Sequence, residues 1–73
     1  MRAKVKQLAE KLGADIEKME TEDGWEIQVA APDGKRWSDG PGVLLAHFGG
    51  TWGPASEAWN DLSERMQEGL CDE

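Results

Sequence analysis

Apolar and polar positions divide the chain into a helical segment at each end and shorter alternating segments between them. Four apolar residues recur at helical spacing near the start: Val5, Leu8, Ala9 and Leu12. Gly13 follows directly, where glycine commonly ends a helix in the left-handed conformation. The pattern predicts a first helix over residues 2–12.

The segment 14–48 has the alternation typical of antiparallel strands. Its clearest strand has apolar residues on one face, Trp25, Ile27, Val29 and Ala31, and polar residues on the other, Glu26 and Gln28. We expect Asp23 and Gly24 to occupy the turn before this strand, and Pro32-Asp33-Gly34 to form the turn after it. A short strand with Trp37 inward and a break at 39–42 follow. Residues 43–48 fit either a last strand or a single helical turn.

The stretch HFGGTWGP, residues 47–54, interrupts the pattern with three glycines before Pro54. Proline is favoured at the first helical position, so a second helix is predicted over 54–68. Its apolar stripe consists of Ala55, Ala58, Trp59, Leu62 and Met66. Gly69 ends this helix, and residues 70–73 are expected to form a tail.

This order predicts a single α+β domain over residues 1–73: a helix, an antiparallel sheet of three strands (two to four), and a helix. The two helices are expected to pack on one face of the sheet, over Trp25, Ile27, Val29 and Trp37. The other face is left to water or to a second copy, so the chain is expected to be a monomer or a homodimer.

Charge narrows the classes of partner. The 73 residues carry a formal net charge of −7, which repels nucleic-acid phosphates and anionic lipid, so direct binding to nucleic acid or membrane is not expected. The first thirteen residues are the exception, with four basic residues, Arg2, Lys4, Lys6 and Lys11, and one acid, Glu10. No long apolar run follows Met1, which predicts a cytoplasmic protein.

Candidate catalytic chemistry is sparse. His47 is the residue whose ordinary titration lies nearest neutral pH, but no serine or cysteine elbow motif and no local metal-ligand spacing accompanies it. Cys71 has no second cysteine to pair with and is expected to be a free, exposed thiol. We therefore predict no catalytic residues, no cofactor and no metal.

Candidate contact residues fall into two groups. Trp52 lies between glycines in a loop and is either an exposed aromatic contact or a lid over the edge of the core. Asp61, Glu64 and Glu68 lie on one side of the second helix, as a solvated face or an acidic contact surface. Together with His47, these are the predicted partner-binding residues.

The segments AAPDGKRW (30–37) and WNDLSERMQEGL (59–70), with His47 between them, resemble small accessory proteins encoded by tailed bacteriophages and prophages. The resemblance implies expression in a bacterial cytoplasm and supplies no activity or binding residues. The expected function is non-enzymatic, through contacts with a phage or host protein. One alternative is an acidic mimic of nucleic acid that blocks a DNA- or RNA-binding protein. A second is a small hydrolase or metal-binding protein that uses His47.

Overall fold

Glycines end each of the two helices at the predicted positions in the computed structural model, which describes residues 2–38 and 40–72. Helix α1 spans Arg2–Leu12. Gly13 follows with φ +75°, and the Ala14 amide donates to the Ala9 carbonyl at 2.9 Å, as in a Schellman cap. Helix α2 spans Ala55–Gln67, and Gly69 beyond it has φ +83°. Pro54 is the N-cap and not the first helical residue, which corrects the predicted start by one position.

Five strands lie between and after the helices: β1 (Asp15–Thr21), β2 (Gly24–Ala30), β3 (Lys35–Trp37), β4 (Val43–Phe48) and β5 (Leu70–Asp72). Strands β1, β2 and β4 form an antiparallel sheet in the order β1-β2-β4. The segment 43–48, which the sequence left open between strand and helical turn, is therefore a strand. Asp39, in the predicted break at 39–42, lies outside the described residues, as do positions 1 and 73.

Strand β3 does not join this sheet. It pairs with β5 in a separate two-stranded ribbon, with Trp37 opposite Leu70 and Lys35 opposite Asp72. The predicted tail is thus wrong for Leu70–Asp72, because the backbone of this segment completes the hydrogen bonds of β3. Cys71 is half-buried in the ribbon, with its Sγ 3.3 Å from the Ser38 hydroxyl, and is not the exposed thiol expected from the sequence.

The predicted turn at Asp23-Gly24 is shifted by one residue. Thr21 pairs with Gly24, so Glu22 and Asp23 form the two-residue turn and Gly24 begins β2. A Cβ at Gly24 would lie 2.5 Å from the Phe48 carbonyl oxygen. The glycine is therefore needed for two reasons: its φ of +149° is one that other residues rarely adopt, and the backbones of β2 and the end of β4 approach closely.

The core lies between the β1-β2-β4 sheet and helices α1 and α2. Its largest fully buried side chains come from every layer: Trp37, Ile27, Leu44, Leu62, Met66, Val5 and Val29. The Trp37 indole donates a hydrogen bond to the Val29 carbonyl at 3.0 Å, which satisfies its polar atom inside the core. Trp59 is also buried, and Trp25 is half-buried and stacked on Phe48. This arrangement confirms the predicted α+β fold, with α1 and α2 on one side of the sheet.

Among the described residues, no helix is both long enough and apolar enough to cross a lipid bilayer.

Candidate functional site

The sheet face opposite the helices is uncovered, and its composition follows from strand register. Met19, Glu26 and His47 lie side by side across β1, β2 and β4, and Glu17, Gln28 and Leu45 form the neighbouring row. Because side chains alternate along a strand, these residues point away from the buried Ile27 and Val29. We call this surface the open face: Asp15, Glu17, Met19, Glu26, Gln28, Val43, Leu45, His47 and Trp52.

Trp52 belongs to the open face although it lies outside the strands. Its ring centroid is 4.5 Å from that of His47, with the ring planes tilted by 39°. The indole is 41% exposed, so it does not close over the edge of the core. The structure thus brings together the two predicted contact residues of the 47–54 stretch.

The loop glycines fix this position of Trp52. Within the loop, the Trp52 amide donates to the Gly49 carbonyl at 2.9 Å, and the Gly49 amide donates to the Gly53 carbonyl at 2.7 Å. Gly50 has φ +53°, and a Cβ there would overlap the Asp23 carbonyl of the β1-β2 turn. The loop therefore packs directly against that turn, which only glycine permits.

A polar chain crosses the open face beside Trp52. His47 Nε2 lies 3.3 Å from Glu26 Oε1, its cross-strand neighbour. Gln28 Nε2 donates to Glu26 Oε2 at 3.3 Å and lies 4.0 Å from the sulfur of Met19. The Glu26 carboxylate is thus held on one side by an amide and on the other by the imidazole, which fixes the ring that contacts Trp52.

The open face also carries the exposed large apolar side chains. Among the described residues these are Met19 (40% exposed), Val43 (40%), Leu45 (47%) and Trp52 (41%). All of them are on this one side of the sheet, with carboxylates of Asp15, Glu17 and Glu26 interspersed. Such a surface, in which apolar, aromatic and charged side chains lie together, resembles the composition of protein contact sites.

The predicted acidic residues of α2 are not part of the open face, because α2 packs on the opposite side of the sheet. Asp61 lies 3.8 Å from the Arg65 guanidinium, one helical turn on, and Arg65 also donates to the Leu45 carbonyl at 3.4 Å. Glu64 accepts a hydrogen bond from the Asn60 amide at 3.5 Å, and Glu68 is the exposed C-cap residue. Arg65 therefore offsets part of the negative charge on this side of the helix.

The geometry around His47 provides one carboxylate and an aromatic ring. Within residues 2–38 and 40–72, no group of three or more histidine, cysteine, aspartate or glutamate side chains is arranged to hold a metal ion. Two grooves lie along α1 and β1, and His47 lines neither of them. What the open face can do chemically is to present apolar, aromatic and carboxylate groups together to another surface.

Sequence reasoning did not identify Glu26, Met19 or Leu45 as members of this site. Glu26 and Leu45 occupy outward positions of alternating segments, but an outward position by itself shows no partner. The missing information is the register of β4 against β2, which places His47 opposite Glu26. The two strands are separated by a connection of twelve residues, 31–42. Because the connection is long, the local sequence does not determine which residues of β2 and β4 pair.

Comparison with known protein families, with curated protein sequences and with solved structures found no match for this chain.

Proposed function

We propose that this chain is a non-enzymatic interaction protein that binds a partner protein through its open face. The proposal rests on one observation: four large apolar side chains are exposed, and all four lie on the same side of the sheet, namely Met19, Val43, Leu45 and Trp52. Burying these side chains against a partner would contribute roughly 25 cal/mol per Å² of apolar surface removed from water, before the cost of association.

Charge indicates the kind of partner. Asp15, Glu17 and Glu26 lie among the apolar residues, and the chain as a whole carries −7. A complementary surface has apolar residues opposite Met19, Leu45 and Trp52 and basic residues opposite the carboxylates, since acidic residues there would be unfavourable. The resemblance to bacteriophage accessory proteins supplies a setting in which the partner is a phage or bacterial protein in the cytoplasm.

The test compares three forms of the full chain as bait in bacterial lysate: wild type, an open-face variant (Leu45→Thr with Trp52→Ala) and a control variant (Asp61→Asn with Glu64→Gln). The control changes exposed residues of α2 on the other side of the sheet. Circular dichroism first establishes that each variant is folded. We expect one partner to be recovered by wild type and control and to be lost with the open-face variant.

Equal recovery by all three forms would contradict the assignment to the open face. Recovery of no partner at either low or moderate salt would contradict the proposed function itself. Sedimentation at several concentrations tests the alternative that the open face binds a second copy of the chain. If the wild type were a dimer and Leu45→Thr were a monomer, the open face would be a self-association surface.

A more specific form of the proposal is mimicry of nucleic acid, in which the carboxylates of the open face and of α2 occupy a basic groove of a DNA- or RNA-binding protein. It is favoured by the net charge of −7. Mimicry requires that partner binding weakens steeply as salt is raised and that DNA competes for the same partner. Binding that is insensitive to salt would exclude it and would leave the apolar contact.

A further inference from the structure

A second surface, opposite in charge to the open face, lies on the helix side of β1. A groove of about 200 Å³ opens between α1, β1 and α2. It is lined by Arg2, Lys6, Ile16, Lys18 and Trp59. Three of these five side chains are cationic, although the chain as a whole is strongly acidic.

The cations of this groove do not serve as partners for the chain's own acids. In the part of the chain that the structure describes, Arg2, Lys6 and Lys18 form no ion pair with a carboxylate. Unpaired like charges close together repel one another, which is unfavourable for the fold. Their positive charge is therefore not neutralised by these acids and can attract an anionic ligand.

Aromatic rings hold two of these cations in place. The Arg2 guanidinium lies 5.8 Å from the centroid of the Trp59 ring, and Lys18 Nζ lies 4.8 Å from the centroid of the Trp25 ring. Cation–π contacts of this kind fix a flexible side chain while the charge remains accessible. The positive charge at the groove is thus partly ordered before any ligand binds.

The groove continues along the gap between α1 and β1. A neighbouring volume of about 220 Å³ shares Lys6 and Ile16 with the first and extends past Ala9 to Glu10 and Asp15. From Arg2 to Glu10 along α1 the distance is about 12 Å at 1.5 Å per residue. This length matches roughly three or four residues of extended peptide.

We propose that this groove binds a short acidic peptide segment of another protein, with its carboxylates at Arg2, Lys6 and Lys18 and an apolar side chain against Ile16 and Trp59. Glu10 and Asp15 at the far end orient the segment, because they repel its acidic end. Each part of the groove is smaller than the roughly 300–1,000 Å³ of pockets that enclose a whole small molecule. The residues that would hold the segment are not part of the open face, so this inference does not depend on the proposed function: Arg2, Lys6, Ile16, Lys18 and Trp59.

The experiment is a titration of the full-length, ¹⁵N-labelled chain followed by NMR at moderate salt. The probe is a capped four-residue peptide in which two glutamates precede a leucine–phenylalanine pair. We expect saturable shifts of the Trp59 indole N–H and of amides in the segments 2–6 and 16–18. A peptide with glycines in place of leucine and phenylalanine should bind more weakly, and one with lysines in place of the glutamates should not bind.

Two double variants with reversed charges distinguish binding in the groove from attraction by the general charge of the chain. Lys6→Glu with Lys18→Glu should weaken binding by about tenfold or more, since two exposed ion pairs are replaced by repulsion. Lys4→Glu with Lys11→Glu changes the net charge equally on exposed residues outside the groove lining and should have less than about a twofold effect. If the first variant is unfolded by circular dichroism, Lys6→Gln with Lys18→Gln replaces it, with a smaller loss expected.

Several results would overturn the proposal. If the two double variants weakened binding equally, the peptide would be attracted by the general charge of the chain and not by the groove. Shifts that map to the open face, or equal binding of the lysine peptide, would place the ligand elsewhere. If inorganic phosphate produced the same shifts at the same concentrations, or the glycine peptide bound equally well, the groove would be a plain anion site and not a peptide site.

Discussion

The contact between the Trp52 loop and the β1-β2 turn leads to a prediction about two glycines. Gly50 and Gly34 both have positive φ, +53° and +79° respectively. They differ in their surroundings, because a Cβ at Gly50 would overlap the Asp23 carbonyl whereas a Cβ at Gly34 would meet nothing within 4 Å. Alanine at each position therefore separates the cost of the backbone conformation from the cost of the close approach.

The expected magnitudes follow from these two terms. An alanine in the left-handed region costs about 1–2 kcal/mol, and the reduced freedom of the unfolded chain offsets about 0.4–1 kcal/mol of this. Gly34→Ala should therefore lower the free energy of unfolding by about 1 kcal/mol. Gly50→Ala carries the same term plus about 1–3 kcal/mol for displacing the Asp23 carbonyl, giving about 2–4 kcal/mol in total.

Equilibrium unfolding in urea, followed by tryptophan fluorescence, measures both values. A chain of 73 residues has a total stability of about 4–11 kcal/mol, so a loss of 2–4 kcal/mol is well resolved. A loss for Gly50→Ala within about 0.5 kcal/mol of that for Gly34→Ala would refute the close packing of loop and turn. The slope of unfolding against urea should be unchanged in both variants.

Three further outcomes are expected. Trp37→Phe should lower the free energy of unfolding by about 2–3 kcal/mol, because the buried Val29 carbonyl loses its indole donor and a void remains; a loss below about 1 kcal/mol in the same urea assay would contradict this. The hydrogen bond and charge of Lys35 hold the pKa of Asp72 below its usual range, so the associated stability is present above the unfolded pKa and is lost as pH falls through the lowered folded pKa. Lys35→Met should raise that pKa in a ¹³C carboxyl titration, and an unchanged pKa would refute the pairing. Trp52→Ala should lower the free energy of unfolding by about 1–2 kcal/mol, since the residue is 41% exposed and its ring contacts His47; a loss as large as that of Trp37→Phe would make Trp52 part of the core.

The helices and the central strands were predictable because their signals are local. Gly13 and Gly69 follow the helices in the left-handed conformation that glycine adopts readily. The alternation around Ile27 and Val29 identifies the buried face of β2. The presence of each element depends on residues a few positions apart. Such short-range patterns are what periodicity can detect.

The β3-β5 ribbon was missed because it depends on contacts far apart in sequence. Leu70–Asp72 is three residues long, too short for alternation to distinguish a strand from a tail. Its hydrogen-bonding partner, Lys35–Trp37, lies more than thirty positions earlier in the chain. The shifted β1-β2 turn is a related case, since the close approach of Gly24 to the distant Phe48 carbonyl is not visible in the local sequence.

The candidate site was predictable in part. Trp52 was identified because a tryptophan between loop glycines fits no inward position, and the structure places it on the uncovered side of the sheet, beside His47. The remainder of the open face required the register between β2 and β4, which puts Glu26 beside His47. The three cations of the groove come from α1 and β1, and their convergence on Trp59 of α2 depends on tertiary packing alone.

The opposite charges of the open face and the groove predict different responses to salt. An acidic peptide approaching the groove is attracted by three nearby cations and repelled by the rest of a chain with net charge −7. At about 0.1 M salt the screening length is about 10 Å, so repulsion from distant carboxylates is screened before attraction within the groove. Affinity for the glutamate peptide should therefore hold or rise up to about 0.1 M salt and fall above it, whereas a basic partner at the open face should weaken steadily from the lowest salt. Steady weakening of the glutamate peptide from the lowest salt onward would show that the distant carboxylates do not affect the groove and would refute this reasoning.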